Sequence, residues 1–271
     1  DTGLCTCHQL AVQDGFVSGP GDFSATEFTA AQTVQSRAYV SGVEVEVQHG
    51  KTVVVLGDSI SDGVGSTPNT NRRWPDVLAR RLNKRNAAWG VANQGISGNR
   101  ILEDGAGQSA LARLDRDVLS LPGVAYLIVF EGVNDLGLAF GKFSLPPGPA
   151  NTPPPVFVPS AHKPTAPAMI AGYRQIIARA HARGIKVYGA TIAPFEGAMY
   201  WSAEGESQRK GINDWIRNGG EFDAVLDFDA VLRDPAKPTR MAEGRHMGDY
   251  LHGNDAGYAA VGNSIDLKLF R

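Results

Sequence analysis

The 271 residues are 42% hydrophobic and 20% charged, the balance of a folding chain and not of a disordered or fibrous one, at a length that a single α/β domain can absorb. A formal charge of -2 and a pI near 6.3 argue against a nucleic-acid binder, which usually needs a concentrated basic face to neutralise phosphates. No run of 18 apolar residues occurs, so no transmembrane segment is expected, and the N-terminus lacks the basic-then-apolar pattern of a signal peptide.

Residues 1–50 place glycine, serine and threonine between short apolar stretches without a helical period, which predicts a short N-terminal β segment set apart from residues 51–271. Cys5 and Cys7 are the chain's cysteines, spaced too tightly to staple distant elements. No second pair completes a tetrahedral zinc site, so an incidental thiol pair is expected. Val43, Val45 and Val47 alternate with Glu44, Glu46 and Gln48, the period of a strand buried on one face.

From Lys51 the pattern becomes strand, loop and helix, repeated. Apolar strand candidates cover 53–56, 88–92, 124–130, 186–190 and 224–228, with helical patterns over 74–82, 111–119, 170–181 and 208–216 between them. This alternation predicts an α/β fold, a flavodoxin-like three-layer sandwich whose central five-stranded parallel sheet is covered by helices on both faces. In the first long helix Trp74, Val77, Leu78 and Leu82 form the apolar stripe. Arg80 and Lys84 lie away from it, while Arg81 and Arg85 lie near enough to lay their stems along it with the charge in water. Arg183 and Gly184 supply the expected end of the helix over 170–181. Residues 137–168 contain nine prolines, which forbids a regular helix there and leaves either a surface insertion or a wall of the site.

Four short blocks sit after these strands or near the C-terminus. Gly57-Asp58-Ser59 follows the first strand, where a serine hydroxyl can stand exposed while its own N–H lies in the helix N-terminal field that favours a developing anion. The plainer alternative is a serine N-cap. A phosphate loop is disfavoured because no G-x-x-x-x-G-K-[ST] pattern follows Gly57, and Gly63-Val64-Gly65 does not continue as a dinucleotide fingerprint. Asn93 to Asn99 follows the second strand, and either Gly95 or Gly98 could present an N–H to an oxyanion there. Asn134, in Gly132-Val133-Asn134-Asp135 after the third strand, could add a side-chain amide, although both blocks also suit ordinary loops. In Asp249-Tyr250-Leu251-His252, an offset of three lets Asp249 orient His252 while the other ring nitrogen faces the serine. A metal set of His246, Asp249 and His252 is the competing reading, without a further ligand or supporting shell to favour it.

Gly57-Asp58-Ser59, Ser97-Gly98, Gly132-x-Asn134-Asp135 and Asp249-x-x-His252 together resemble the four blocks of the SGNH/GDSL hydrolases, in that family's order, across residues 52–258. The resemblance implies Ser59 as nucleophile, His252 as general base and Asp249 as its partner. It also implies an oxyanion hole from the N–H of Ser59, the N–H of Gly98 and the side chain of Asn134, which leaves Gly95 as a turn residue. Ile60 stands where the family's older name has leucine, an aliphatic exchange that preserves packing.

Asn71 to Pro75 and Ala190 to Phe195 are similar to segments of bacterial members related to carbohydrate acetylesterases. The implied activity is serine ester hydrolysis of short acyl esters, acetyl first, on a small molecule or a carbohydrate. Longer-chain lipase or aryl esterase activity is the alternative, and a non-catalytic carbohydrate-binding module is a more distant one. Trp74 with Arg72 and Arg73 could stack on and hydrogen-bond a sugar, or could be core and surface residues. Neither a metal nor an organic cofactor is called for, and the export of similar enzymes implies a secreted or periplasmic location.

Overall fold

The computed structural model describes residues 12–24, 27–35, 42–85, 88–141 and 160–271, with the backbone of residues 7–8 and 37–38. Its N-terminal strands are β1 (Cys7–His8), β2 (Gly15–Ser18), β3 (Ala30–Val34) and β4 (Arg37–Ala38), paired antiparallel as β1 with β4 and β2 with β3. The alternating stretch beyond them is not a strand. Val43, Val45 and Val47 are 88%, 77% and 43% exposed, because none of the described residues offers a ladder that would pair them or a face that would bury them. Cys5 lies outside the described residues, as does the side chain of Cys7.

Val53 to Leu56 are fully buried, as a near-continuous apolar run must be when a parallel strand is covered on both faces. They form the middle of β5 (Lys51–Gly57), which is followed by α1 (Ser59–Asp62), α2 (Trp74–Arg85) and β6 (Trp89–Gly95). Next come α3 (Ala110–Leu114), running into a π-helical turn at Asp115–Leu119, then β7 (Val124–Phe130) and α4 (Val133–Phe140). The chain continues through α5 (Ala166–His181), β8 (Lys186–Ala190), α6 (Ala203–Asn218), β9 (Ala224–Leu226), α7 (Phe228–Leu232) and α8 (Asp255–Ser264).

Strands β5 to β9 form one parallel sheet of five in the order β6-β5-β7-β8-β9, the flavodoxin-like order in which the chain reverses direction beside its first strand. Helices α2 and α8 pack together, as do α7 and α8, while α5 packs with α3 and α6. Right-handed crossovers on either side of β5 put these two groups on opposite faces, which makes the three layers. Among the described residues no helix is long and apolar enough to cross a membrane.

Local chemistry explains where the elements begin and end. The last strand stops at Leu226 because Asp227 caps α7, its side chain accepting from the N–H of Ala230, so Phe228 is helical and not part of the strand. The pattern over 111–119 is split between α3 and the π-helical turn. Gly184, at φ +70°, ends the helix α5 as its residue type requires. Arg81 and Arg85 differ from expectation at their heads: Arg81 donates to the carbonyls of Gly262 and Ile265 at 2.6 and 2.8 Å, and Arg85 to Leu267 at 2.8 Å. They tie α2 to carbonyls at and beyond the end of α8. Most of the proline-rich stretch, 142–159, lies outside the described residues.

Candidate active site

Strand β5 delivers the chain to α1, and Asp58 is the residue that caps it. Its Oδ1 accepts from the N–H of Ile60 at 2.9 Å, so Ser59 is freed from capping and occupies the first helical position. It is 5% exposed, and its Oγ lies 2.9 Å from His252 Nε2. The other ring nitrogen, Nδ1, lies 2.6 Å from Asp249 Oδ2. Asp249 Oδ1 accepts from the backbone N–H groups of Leu251 and His252 at 3.0 and 2.9 Å.

This three-residue offset is a tight turn and not a helix, with Tyr250 between the two at φ +57°. A bulky residue in the left-handed region is strained, and its surroundings hold it there. The Arg240 guanidinium lies 4.5 Å from the Tyr250 ring centre, the His246 ring lies 4.2 Å away, and the hydroxyl donates to Glu243 at 2.9 Å. Burial works against the charge on Asp249, but the hydrogen bond and charge of His252 and the two backbone N–H groups outweigh it, lowering the carboxyl to about 2. His246 does not join Asp249 and His252 as a ligand set: its Nδ1 accepts from the N–H groups of Gly248 and Tyr250 at 3.1 and 3.3 Å.

The second block is tied to the end of β5 by Ile96 N–H to Gly57 O at 2.9 Å, and to α1 by Asn93 Nδ2 to Ser61 O and Ser97 Oγ to Asp62 Oδ2, both at 2.7 Å. Gly98 takes φ +81°, a turn that side chains resist. Gly95 is not a turn residue. It ends β6, where an added Cβ would stand 2.5 Å from the Asp62 nitrogen, so its role is to let α1 approach.

Strand β7 brings in the third block. Asn134, 2% exposed, donates from Nδ2 to the backbone oxygen of Asn99 at 3.0 Å, and its Oδ1 accepts from the Tyr200 hydroxyl at 3.1 Å. Next to it, Asp135 accepts from Ile101 N–H at 2.9 Å and Leu102 N–H at 3.2 Å. The structure therefore gathers Ser59, His252 and Asp249 in one chain of hydrogen bonds, and sets Asn134 against the loop that carries Gly98.

Sequence reasoning missed the residues beneath. Arg113 is fully buried and binds the ends of three strands: Gly57 O at 3.2 Å, Gln94 O at 2.7 Å and Glu131 Oε1 at 3.5 Å. Its Nε also donates to Asn99 Oδ1 at 2.9 Å. The available signals were an arginine amid the apolar helix pattern at Leu111 and Leu114, and a glutamate directly after an apolar strand. Burial drives Glu131 well above the usual carboxylate range, the charges of Asp58 and Asp135 pushing the same way and Arg113 opposing. Burial likewise raises Asp58 and Asp135 to about 7. Trp74 belongs to the core, fully buried with its ring centre 5.4 Å from that of Phe228 and 6.3 Å from that of Phe130. Arg73 donates to Asp62 O at 2.9 Å, and Arg72 pairs with Asp255 at 2.9 Å.

Residues 55–260 match the profile of the GDSL-like lipase/acylhydrolase family. This chain belongs to that family. It is a carboxylic ester hydrolase of the GDSL type, and the first three blocks and the Asp-His block all touch or fall within the matched span. Its fold is similar to that of an acetyl xylan esterase from Geobacillus stearothermophilus, at 18% identity over 81% of this chain and 94% of the other, with a TM-score of 0.57. A GDSL-like lipase from Bacteroides thetaiotaomicron is similar at 17% identity over 84% and 91%, TM-score 0.56. A lipase/acylhydrolase from Enterococcus faecalis is similar at 17% over 79% and 92%, TM-score 0.54. At these identities the likeness is one of fold. A search among curated proteins found no match to the chain.

Proposed function

We propose that this GDSL hydrolase removes short acyl groups, acetyl first, from carbohydrate esters, with Ser59 as nucleophile, His252 as general base and Asp249 as its partner. The observation that carries the reading is the unbroken relay from Ser59 Oγ through both ring nitrogens of His252 to Asp249, at 2.9 and 2.6 Å. In this mechanism His252 Nε2 takes the hydroxyl proton as Ser59 Oγ bonds to the ester carbonyl carbon. The N–H groups of Ser59 and Gly98 and the Asn134 amide receive the negative oxygen. Collapse expels the alcohol, which takes the proton from His252, and leaves an acyl-serine. Water then attacks that ester and gives its proton to His252; as the bond to Ser59 Oγ breaks, His252 returns that proton to Oγ, which releases the acid and restores the hydroxyl.

The preference for acetyl rests on the similar segments at Asn71 to Pro75 and Ala190 to Phe195, and on the fold shared with an acetyl xylan esterase. Two measurements test the reading. An organophosphonate should label wild-type protein once per chain and Ser59→Ala not at all; wild-type protein left unlabelled, with sugar bound, identifies a binding module instead. Rates on acetyl, butyryl and octanoyl esters should fall in that order, and release of acetate from acetylated xylan should be measurable. A maximum at octanoyl overturns the acetyl assignment and favours a lipase.

A further inference from the structure

The side-chain amide of an asparagine is planar, and reversing it exchanges one acceptor oxygen for two donor protons in nearly the same shape. An amide that serves an oxyanion must therefore be held with the correct edge forward. In Asn134 the donor edge reaches the Asn99 carbonyl at 3.0 Å and the acceptor faces the Tyr200 hydroxyl at 3.1 Å. Reversal would set the amide oxygen against the Asn99 oxygen with no proton between them. We infer that Tyr200 is a positioning residue for the oxyanion hole: its hydroxyl holds Asn134 Oδ1, so that one Nδ2 proton engages Asn99 and the other is left for the substrate oxygen. This rests on the proposed role of Asn134.

The surroundings are shaped for that task. Tyr200 is 5% exposed, and its ring lies against α4, the helix that carries Asn134. Gly137 stands three residues after Asn134 on that helix, and any Cβ there would collide with the Tyr200 ring. Phe195 meets the ring edge-on, with centres 5.9 Å apart. Burial raises the phenol well above its ordinary range, with the charges of Asp58 and Asp249 adding to the effect, so the hydroxyl keeps its donor proton at neutral and alkaline pH. A donor on Oδ1 also polarises the amide and strengthens its N–H groups toward a developing anion. Without that donor a buried carbonyl oxygen is left unpaired and the amide is freer to turn.

Tyr200→Phe keeps the ring and removes the oxygen. On a short acetyl ester it should lower kcat about tenfold, the value of roughly one lost hydrogen bond, with KM changed less than about twofold because the ground state makes little use of the hole. Asn134→Ala alone should lower kcat roughly 10²- to 10³-fold, and in that background Tyr200→Phe should cost less than about twofold. Gly137→Ala, which displaces the ring, should reproduce the Tyr200→Phe loss in kcat. An unchanged kcat in Tyr200→Phe overturns the inference, as does an undiminished tenfold cost in the Asn134→Ala background. Full activity of Asn134→Ala itself removes the oxyanion role of Asn134, and the inference falls with it. Thermal unfolding of each variant separates these outcomes from loss of fold.

Discussion

Asp249 grips His252 twice, with Oδ2 2.6 Å from the ring nitrogen Nδ1 and Oδ1 2.9 Å from the backbone nitrogen of the same residue. One carboxylate thus fixes both the ring's tautomer and the turn on which the ring is mounted. Asp249→Asn keeps an acceptor but replaces the charge and favours the wrong tautomer, so kcat should fall by about 10⁴. The change should lie in kcat and not in KM, as measured on a short acetyl ester. Because its folded carboxyl is lowered from 3.8 to about 2, Asp249 stabilises the fold above about pH 4 and loses that contribution as pH falls through 2. Urea unfolding of Asp249→Asn should lack this acid limb.

A second relationship lies behind the site. Arg113 and Glu131 are both buried, and Arg113 also holds Gly57 O, Gln94 O and Asn99 Oδ1. Arg113→Met would take a donor from Gly57 O, Gln94 O and Asn99 Oδ1 and leave the buried Glu131 carboxyl without its cation partner. Removing one partner of such a buried network costs about 3–5 kcal/mol, which urea unfolding at constant pH would register. The loss should extend to kcat, because Asn99 is the residue on which Asn134 rests. A variant of unchanged stability would show that the three strand ends hold together without Arg113.

How much of this was legible in the chain follows from what each residue depends on. The sheet was readable because runs such as Val124 to Phe130 are apolar throughout, a pattern that only two covered faces produce. Ser59, Gly98, Asn134, Asp249 and His252 were legible as candidates because the family's blocks keep their order in sequence. Arg113, Glu131 and Tyr200 were not, since each acts by meeting residues between 14 and 66 positions away, as in Arg113 with Asn99 and Tyr200 with Asn134. The strand expected at Val43 to Gln48 failed for the reverse reason: its alternation is local, but a strand is made by its neighbour. Trp74 was legible as core from the apolar stripe it shares with Val77, Leu78 and Leu82, and the structure buries it fully, so its alternative reading as a sugar contact falls away.

Asp58 gives the protein a pH dependence of opposite sign to that of Asp249. Burial raises its carboxyl from 3.8 to about 7, against the Ile60 N–H and the charge of His252. The folded chain keeps a proton that the unfolded chain releases, so the stabilisation is complete below about pH 4 and is lost as pH rises through 7. Asp58→Asn retains an oxygen to cap Ile60 N–H and removes the titration. Between about pH 5 and 8 the urea midpoint should fall in the wild type and fall distinctly less in Asp58→Asn. An equal fall in both would place the retained proton on another buried carboxyl, such as Asp135.

Gly95→Ala discriminates between a loose turn and a close approach. In a turn with open space, alanine in place of a glycine without positive φ is silent or mildly stabilising. At the end of β6 the new Cβ would stand 2.5 Å from Asp62 N, 2.9 Å from Ser61 C and 3.0 Å from Asp62 Cα. All three belong to backbone, which cannot swing aside as a side chain does. Overpacking of this kind typically costs about 1–3 kcal/mol, and relief requires α1 to move away from β6. Since Ser59 is the first residue of α1, such a movement disturbs its 2.9 Å contact with His252. Gly95→Ala should therefore lower both the thermal midpoint and kcat, whereas a substitution felt only by the fold would lower the midpoint and leave kcat at temperatures below it unchanged.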